Sequence, residues 1–214
     1  MSGPPKPHTR DLLLDATVAA LIARGYAGCS VQEICDAAGL SKGAFFHCYE
    51  SKADAALNAV DRFADTRLRQ MQAVADRAGL DPRARVFGLI DGLISVASDT
   101  FLTENCLLGV LGQEAPPDSQ VAARVAARLR RWADWVGQEL AGCDLPLDVE
   151  AVSLGQHLIA VFEGGLLLSR AAHDPAPLRA SLSHYRRYLI SLLGVPALPS
   201  PVEQTEPFTQ EKLP

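Results

Sequence analysis

Apolar residues recur every three or four positions along almost the whole chain, and no stretch alternates apolar with polar residues for long enough to make a strand. The pattern predicts an all-α fold. Leu13, Ala16, Ala20 and Leu21 share one face of a first helix from about Arg10 to Arg24, with Gly25 placed to end it. Ser30, followed three residues on by Glu33, has the form of a capping box. It opens a second helix whose inner face is Val31, Ile34, Cys35 and Ala38. Gly39 stops that helix, Leu40 packs, and Ser41 is placed to cap a third. Turning the third helix at about 100° per residue puts Phe45, Cys48 and Tyr49 on one side and Lys42, Gly43, Phe46 and His47 on the other. One side belongs to a core; the other is left to touch something else.

Ser51 and Asp54 open a long fourth helix to about Arg77, with Gly79 beyond it. Further amphipathic helices follow on Val86, Leu89, Ile90, Leu93 and Ile94, on about Cys106 to Gln113, and on Val121, Val125, Leu129, Trp132, Val136 and Leu140. The helix from about Asp148 to Ala172 is apolar nearly all round between Leu154 and Leu168, so it needs two partners. In the last helix, about Pro177 to Leu193, the positions Leu178, Leu182, Tyr185, Leu189 and Leu192 form a coiled-coil-like seam. Together these two helices, with Gly164 and Gly165 permitting close approach, are expected to form a homodimer interface. Residues 1–8 hold three prolines and 195–214 hold five, so both ends read as disordered tails.

At 214 residues, 48% hydrophobic and 21% charged, the chain can bury a core without disulfides. Five cysteines without CxxC or any metal-ligand spacing, behind a start that lacks a signal-peptide core, point to reduced thiols in the cytoplasm and to no metal or cofactor. The apolar run Leu154–Leu168 is about one turn too short for a membrane span, and Gln156, His157 and Glu163 interrupt it. A net charge of −5 carries no global signature of nucleic-acid binding. Residues 1–60 hold five basic groups (Lys6, Arg10, Arg24, Lys42, Lys52) against six acidic ones, so any DNA recognition there is local and weak in its non-specific part.

Two short helices joined by a tight glycine-containing turn, behind a supporting helix, make a helix-turn-helix whose second helix reads the major groove. The run GYAGCSVQEICDAAGLSKGAFFHCYESKADAAL, residues 25–57, resembles the N-terminal domain of TetR-family transcriptional repressors, and the resemblance extends over about residues 10–60. It implies a three-helix DNA-binding domain over 9–55 and a helical effector-binding and dimerisation domain over 56–194. The implied mode of action is a homodimer that binds a palindromic double-stranded operator and is released by a small molecule. The residues expected at DNA are Ser30, Ser41, Lys42, Gly43, Ala44, Phe46, His47 and Lys52. Gly43 and Ala44 allow close approach, the lysines supply charge, and the helix starts at Ser30, Ser41 and Ser51 offer N–H groups to phosphates. The family usually carries tyrosine at Phe46 and an aromatic at Cys48, which removes one hydroxyl that could anchor a phosphate.

Residues 104–114, ENCLLGVLGQE, resemble a GCLxGNLxQE pattern in a TetR subgroup that senses reactive electrophiles such as N-ethylmaleimide-type compounds, quinones and acrylate-like molecules. Asn105 stands where glycine is usual and Val110 where asparagine is usual. A thiol at a helix start is favoured as thiolate, the form that attacks an electrophile, so Cys106 is the candidate sensor beside the reading that it is a buried small hydrophobe. Gln113, His157 and Phe162 complete the candidate effector residues; His157 and Glu163 read as pocket groups or, the favoured reading, as satisfied interface residues. Two other classes compete with the regulator: a helical thiol enzyme with Cys106 as nucleophile and His157 as base, and a helical interaction module that binds no DNA. Neither explains the helix-turn-helix residues, and no oxyanion or metal motif accompanies the first.

Overall fold

The computed structural model describes residues 7–97 and 106–194, and among them are nine α-helices and no strand. They are α1 (Pro7–Gly28), α2 (Val31–Ala38), α3 (Lys42–Cys48), α4 (Lys52–Arg77), α5 (Pro82–Val96), α6 (Leu107–Glu114), α7 (Gln120–Ala141), α8 (Ala151–Ala172) and α9 (Ala176–Leu192). The all-α expectation holds. Asn105, residues 1–6 and residues 195–214, on which parts of the sequence reading fell, lie outside the described residues. Contacts divide the chain into two compact units. The first takes the described residues to 66 together with 106–128, and the second takes 67–97 and 129–194.

In the first unit Leu13, Leu21, Ile34, Phe45 and Tyr49 are almost wholly buried and form the centre on which α1, α2 and α3 pack. Helix α1 begins at Pro7, two residues inside the segment expected to be a tail. Proline suits a first helical position because its missing N–H has no helical partner to lose. Gly25, expected to end α1, does leave helical geometry (φ 70°, ψ 179°), but the coil resumes for one further turn to Gly28. Arg62 of α4 pairs with Asp11 and Asp15 of α1, each at 3.0 Å, while Asp61 and Asp65 of the same helix meet Arg128 of α7 at 2.7 and 3.1 Å. Pairs of this kind, partly open to water, contribute about 0–1 kcal/mol each and act mainly by fixing which faces of the helices meet.

The second unit corrects one expectation. Leu178, Leu182, Tyr185 and Leu189 are buried within the chain, against α8 and α5, so the seam of α9 is core and not a surface for a second copy. Gly165 belongs to the same contact, since a Cβ there would lie 3.0 Å from Leu178 Cα, whereas a Cβ on Gly164 would meet nothing within 4 Å. Ser169 Oγ accepts from Leu178 N–H at 2.8 Å and Tyr185 Oη donates to the Leu154 carbonyl at 2.9 Å, closing the α8–α9 pair. Helix α8, Ala151–Ala172, lies within the expected span of about Asp148 to Ala172, and by length and composition alone it could cross a membrane. Leu154, Leu158, Gly165, Leu166 and Ser169 are buried in the unit instead, as in the core helix of a folded domain.

Inside this unit Arg186 of α9 donates from Nε and Nη2 to Asp91 of α5 at 2.8 and 3.4 Å, with its guanidinium 5.3 Å from the Phe87 ring centroid. Burial raises the Asp91 carboxyl pKa and outweighs the lowering pull of Arg186. Replacing Arg186 by methionine is expected to cost about 3–5 kcal/mol of stability at neutral pH, because a buried carboxylate loses its partner. A group whose folded pKa is raised contributes stability that is present at low pH and is lost as pH rises through that value. The deficit of Arg186→Met should therefore shrink on acidification, measured by urea denaturation at several pH values. A pH-independent deficit under about 1 kcal/mol would show that the pair is no more than a surface-type contact.

Candidate nucleic-acid interface

Helix α2 opens on the full capping box. Glu33 N–H donates to Ser30 Oγ at 3.2 Å, and Ser30 N–H donates back to Glu33 Oε2 at 2.9 Å. The Ser30 N–H first, and next the Ser30 hydroxyl, which donates to the same Oε2 at 2.9 Å, hold the Glu33 carboxyl below its usual range. Gly39 ends α2 in the left-handed region at φ 64°, a conformation that carries no steric penalty without a Cβ, and its N–H donates to Asp36 O at 3.2 Å. Ser41 then caps α3, its Oγ accepting from Ala44 N–H at 3.2 Å. The turn is thus fixed by two caps and a glycine, and it needs no side chain from outside.

The division of α3 follows the angular projection. Phe45, Cys48 and Tyr49 are buried, with the Phe45 and Tyr49 ring centroids 5.6 Å apart. Arg10 of α1 staples the far end of α3, donating to Cys48 O at 3.5 Å and to Asn58 Oδ1 at 3.1 Å while lying over the Tyr49 ring; Tyr49 Oη donates to Arg10 O at 3.3 Å. Burial pushes the Tyr49 phenol up to about 12, so it stays neutral and keeps donating. On the other side Lys42, Gly43, Phe46 and His47 are exposed, Phe46 to 56%, with Ser41 beside them and Ala44 half-buried. An exposed phenylalanine, a cation, an imidazole and a helix start on one short helix can meet phosphates and base edges at once.

Lys52 stands apart from that face. Its ammonium donates to Tyr26 O at 2.8 Å and to Cys29 O at 2.9 Å and lies 4.4 Å from the Tyr26 ring centroid. Arg24 is paired with Glu33. Three of the five basic residues counted in the N-terminal segment are therefore engaged inside the unit, which leaves Lys42 as the exposed lysine of α3.

The candidate effector residues are divided between the two units. Cys106, 6% exposed, is the N-cap of α6 in the first, and Gln113, exposed on the same helix, donates to Gly109 O at 3.1 Å. His157 and Phe162 sit on α8 in the second. His157 is exposed with its ring 5.4 Å from Tyr185 and 6.2 Å from Tyr188, and Phe162 is half-buried. Around His157 lies an open groove of about 560 Å³ lined by Gly164, Leu168, His184, Tyr185 and Tyr188. Among the remaining cysteines, burial pushes the thiols of Cys29, Cys35 and Cys143 up, the last to about 11, so little thiolate exists there at neutral pH. Among the described residues no cluster of histidine, cysteine and carboxylates could hold a metal. Sequence reading missed two residues that bear on the interface: Arg10, whose role rests on partners 38 and 48 positions away, and Glu114, the final residue of the GCLxGNLxQE-like run.

Residues 13–56 match the family model of bacterial regulatory proteins of the tetR family, and residues 82–184 match that of the LmrA/YxaF-like transcriptional regulator C-terminal domain. The chain is 28% identical over 189 residues to the transcriptional regulator AcuR of Cereibacter sphaeroides, covering 84% of each chain. It is 26% identical over 178 residues to the HTH-type transcriptional repressor DhaR of Mycobacterium sp. strain GP1, covering 79% of this chain and 86% of that one. A regulatory protein TetR from Rhodobacter sphaeroides superposes with a TM-score of 0.75 at 25% identity, over 84% of this chain and 98% of the other.

Proposed function

The chain belongs to the TetR family of bacterial regulatory proteins, and from that premise we propose a homodimeric repressor that binds a palindromic operator and leaves it when a small molecule acts on its helical C-terminal domain. That it is a DNA-binding transcriptional regulator and no enzyme follows from the family. The observation that carries the finer reading is the exposed face of α3, where Lys42, Gly43, Phe46 and His47 stand opposite a wholly buried side. In this reading Lys42 and the capped starts at Ser30 and Ser41 bind phosphates, while Gly43, Ala44, Phe46 and His47 lie against base edges. Lys52 acts through the backbone it holds. Two copies place two α3 helices in successive major grooves, with half-site centres about 34–36 Å apart.

The DNA-binding domain is assigned to 9–55 and the effector and dimerisation domain to 56–194, and work on DNA puts the protein in the cytoplasm. For the effector we favour an electrophile acting at Cys106, supported by its place at the start of α6 and by the unfavourable settings of the Cys29, Cys35 and Cys143 thiols. Allosteric coupling of about 1–3 kcal/mol would lower operator affinity by roughly 5- to 150-fold. Linkage fixes the sign: an agent that weakens DNA binding binds the free protein more tightly than the DNA-bound one.

The test is fluorescence anisotropy on the DNA flanking the protein's own gene, with and without N-ethylmaleimide. Cys106→Ser should keep DNA binding and lose release, while serine at Cys29, Cys35, Cys48 or Cys143 should leave release intact. A Cys106→Ser protein released as readily as wild type would make that thiol structural and the effector a reversible ligand.

A further inference from the structure

We propose that Glu114 is a positioning residue for DNA reading: its carboxylate holds the bend after α1 in the geometry that sets α2 and α3, and so ties α6 to the reading helix. The inference rests on the reading of α3 as the DNA-contacting helix. Glu114 is the last residue of α6, and its Oε2 accepts from Tyr26 N–H at 2.9 Å across 88 positions of sequence. The preceding residue is Gly25, at φ 70°, and a Cβ built there would overlap the Glu114 carboxylate. The carboxylate thus occupies the space that any other residue at position 25 would fill.

From Tyr26 the contact continues in one direction. The carbonyl of Tyr26 accepts from Lys52 Nζ at 2.8 Å, the same ammonium takes the Cys29 carbonyl at 2.9 Å, and the next residue, Ser30, is the cap of α2. Carboxylate and ammonium grip the two backbone groups of a single residue, one from α6 and one from the first turn of α4. A displacement of Glu114 frees the Tyr26 amide, and the segment 26–29 that leads into the capping box loses one of its two fixed points. Electrostatics within α6 does not explain the residue, because an anion in the last turn of a helix opposes the helix dipole. Its favourable partner is the Tyr26 amide, a charge-assisted hydrogen bond of the stronger kind.

The experiment compares the full-length wild type with Glu114→Ala, Glu114→Gln and Gly25→Ala, using as probe a duplex that the wild type selects from a random pool. Operator affinity is measured well below the melting temperature and normalised to folded protein, and exchange of the Tyr26 amide is followed by NMR. Glu114→Ala is expected to weaken binding about 10-fold and to unprotect Tyr26. The slope of affinity against salt should stay unchanged, since no phosphate contact is lost. Glu114→Gln keeps an acceptor at the same reach and should stay within about threefold of wild type. Gly25→Ala, which evicts the carboxylate, should reproduce Glu114→Ala. A Glu114→Ala protein that melts earlier yet binds as wild type would overturn the proposal and make the contact a packing staple. Failure of the wild type to select any duplex would remove the DNA reading itself, and this inference with it.

Discussion

Gly43→Leu is expected to reduce operator affinity by about 10³-fold or more, down to the non-specific level, while the protein stays folded. The two halves of that expectation come from separate observations. Gly43 is exposed on α3, and a Cβ there would meet only Ser41 Oγ at 3.6 Å, an ordinary van der Waals distance. The chain therefore has room for a larger residue, and leucine in place of glycine raises helix propensity by roughly 0.5–1 kcal/mol. What the leucine cannot do is let α3 come as close to a groove as a helix with no side chain at that point. Loss of binding would thus report on the DNA and not on folding, a separation that Phe45 or Tyr49 could not provide because both are wholly buried. The check is anisotropy on the operator beside circular dichroism and thermal melting of the same preparation. A folded Gly43→Leu protein with undiminished affinity would take the reading face away from α3.

The helix-turn-helix was legible because its determinants are local. Caps three residues apart, a glycine at the turn and a side-chain projection over seven residues each need no knowledge of what lies elsewhere, and Ser30, Gly39, Ser41 and Phe45 all behave as their spacing dictates. Periodicity was less informative in α9. It identified Leu178, Leu182, Tyr185 and Leu189 as a buried stripe, but a stripe reports that something covers it and not whether the cover is the same chain or another copy. The glycine pair in α8 shows the same limit: adjacent positions point about 100° apart on a helix, so Gly165 meets Leu178 while Gly164 faces open space. Lys52 and Glu114 were harder still. Their partners are backbone groups 23 to 26 and 88 positions away, and no pattern along the chain marks a carbonyl or an amide as awaiting a charge. Cys106 and Gln113 belong to the first unit and His157 and Phe162 to the second, a division that periodicity along the chain does not mark.

With the seam of α9 in the core, the proposed dimer is left the outer face of the two last helices. Leu167 and Leu168 of α8 are 59% and 58% exposed and Tyr188 of α9 46%, and Leu168 and Tyr188 line the groove at Gly164, where a Cβ would meet nothing within 4 Å. A second copy of the chain is the occupant that suits this face, since a two-fold axis presents each residue twice and each buried leucine contributes about 1.5–3 kcal/mol. Deleting α9 is a poor way to ask the question, because it strips Leu178, Leu182, Tyr185 and Leu189 out of the second unit and would unfold what it was meant to separate. Leu168→Arg asks it cleanly: the side chain is already in water in the single chain, so the fold tolerates the charge, while a dimer on this face has to bury two guanidinium groups without partners. The expected product is a helical monomer at micromolar concentration by sedimentation. Operator affinity should collapse with it. A specific complex near 10⁻⁸ M has about 11 kcal/mol of binding free energy shared by two half-sites, and a lone head keeping half of it would bind roughly 10⁴-fold more weakly. A Leu168→Arg protein that sediments as a dimer and binds the operator as wild type would move the interface off this face of α8 and α9.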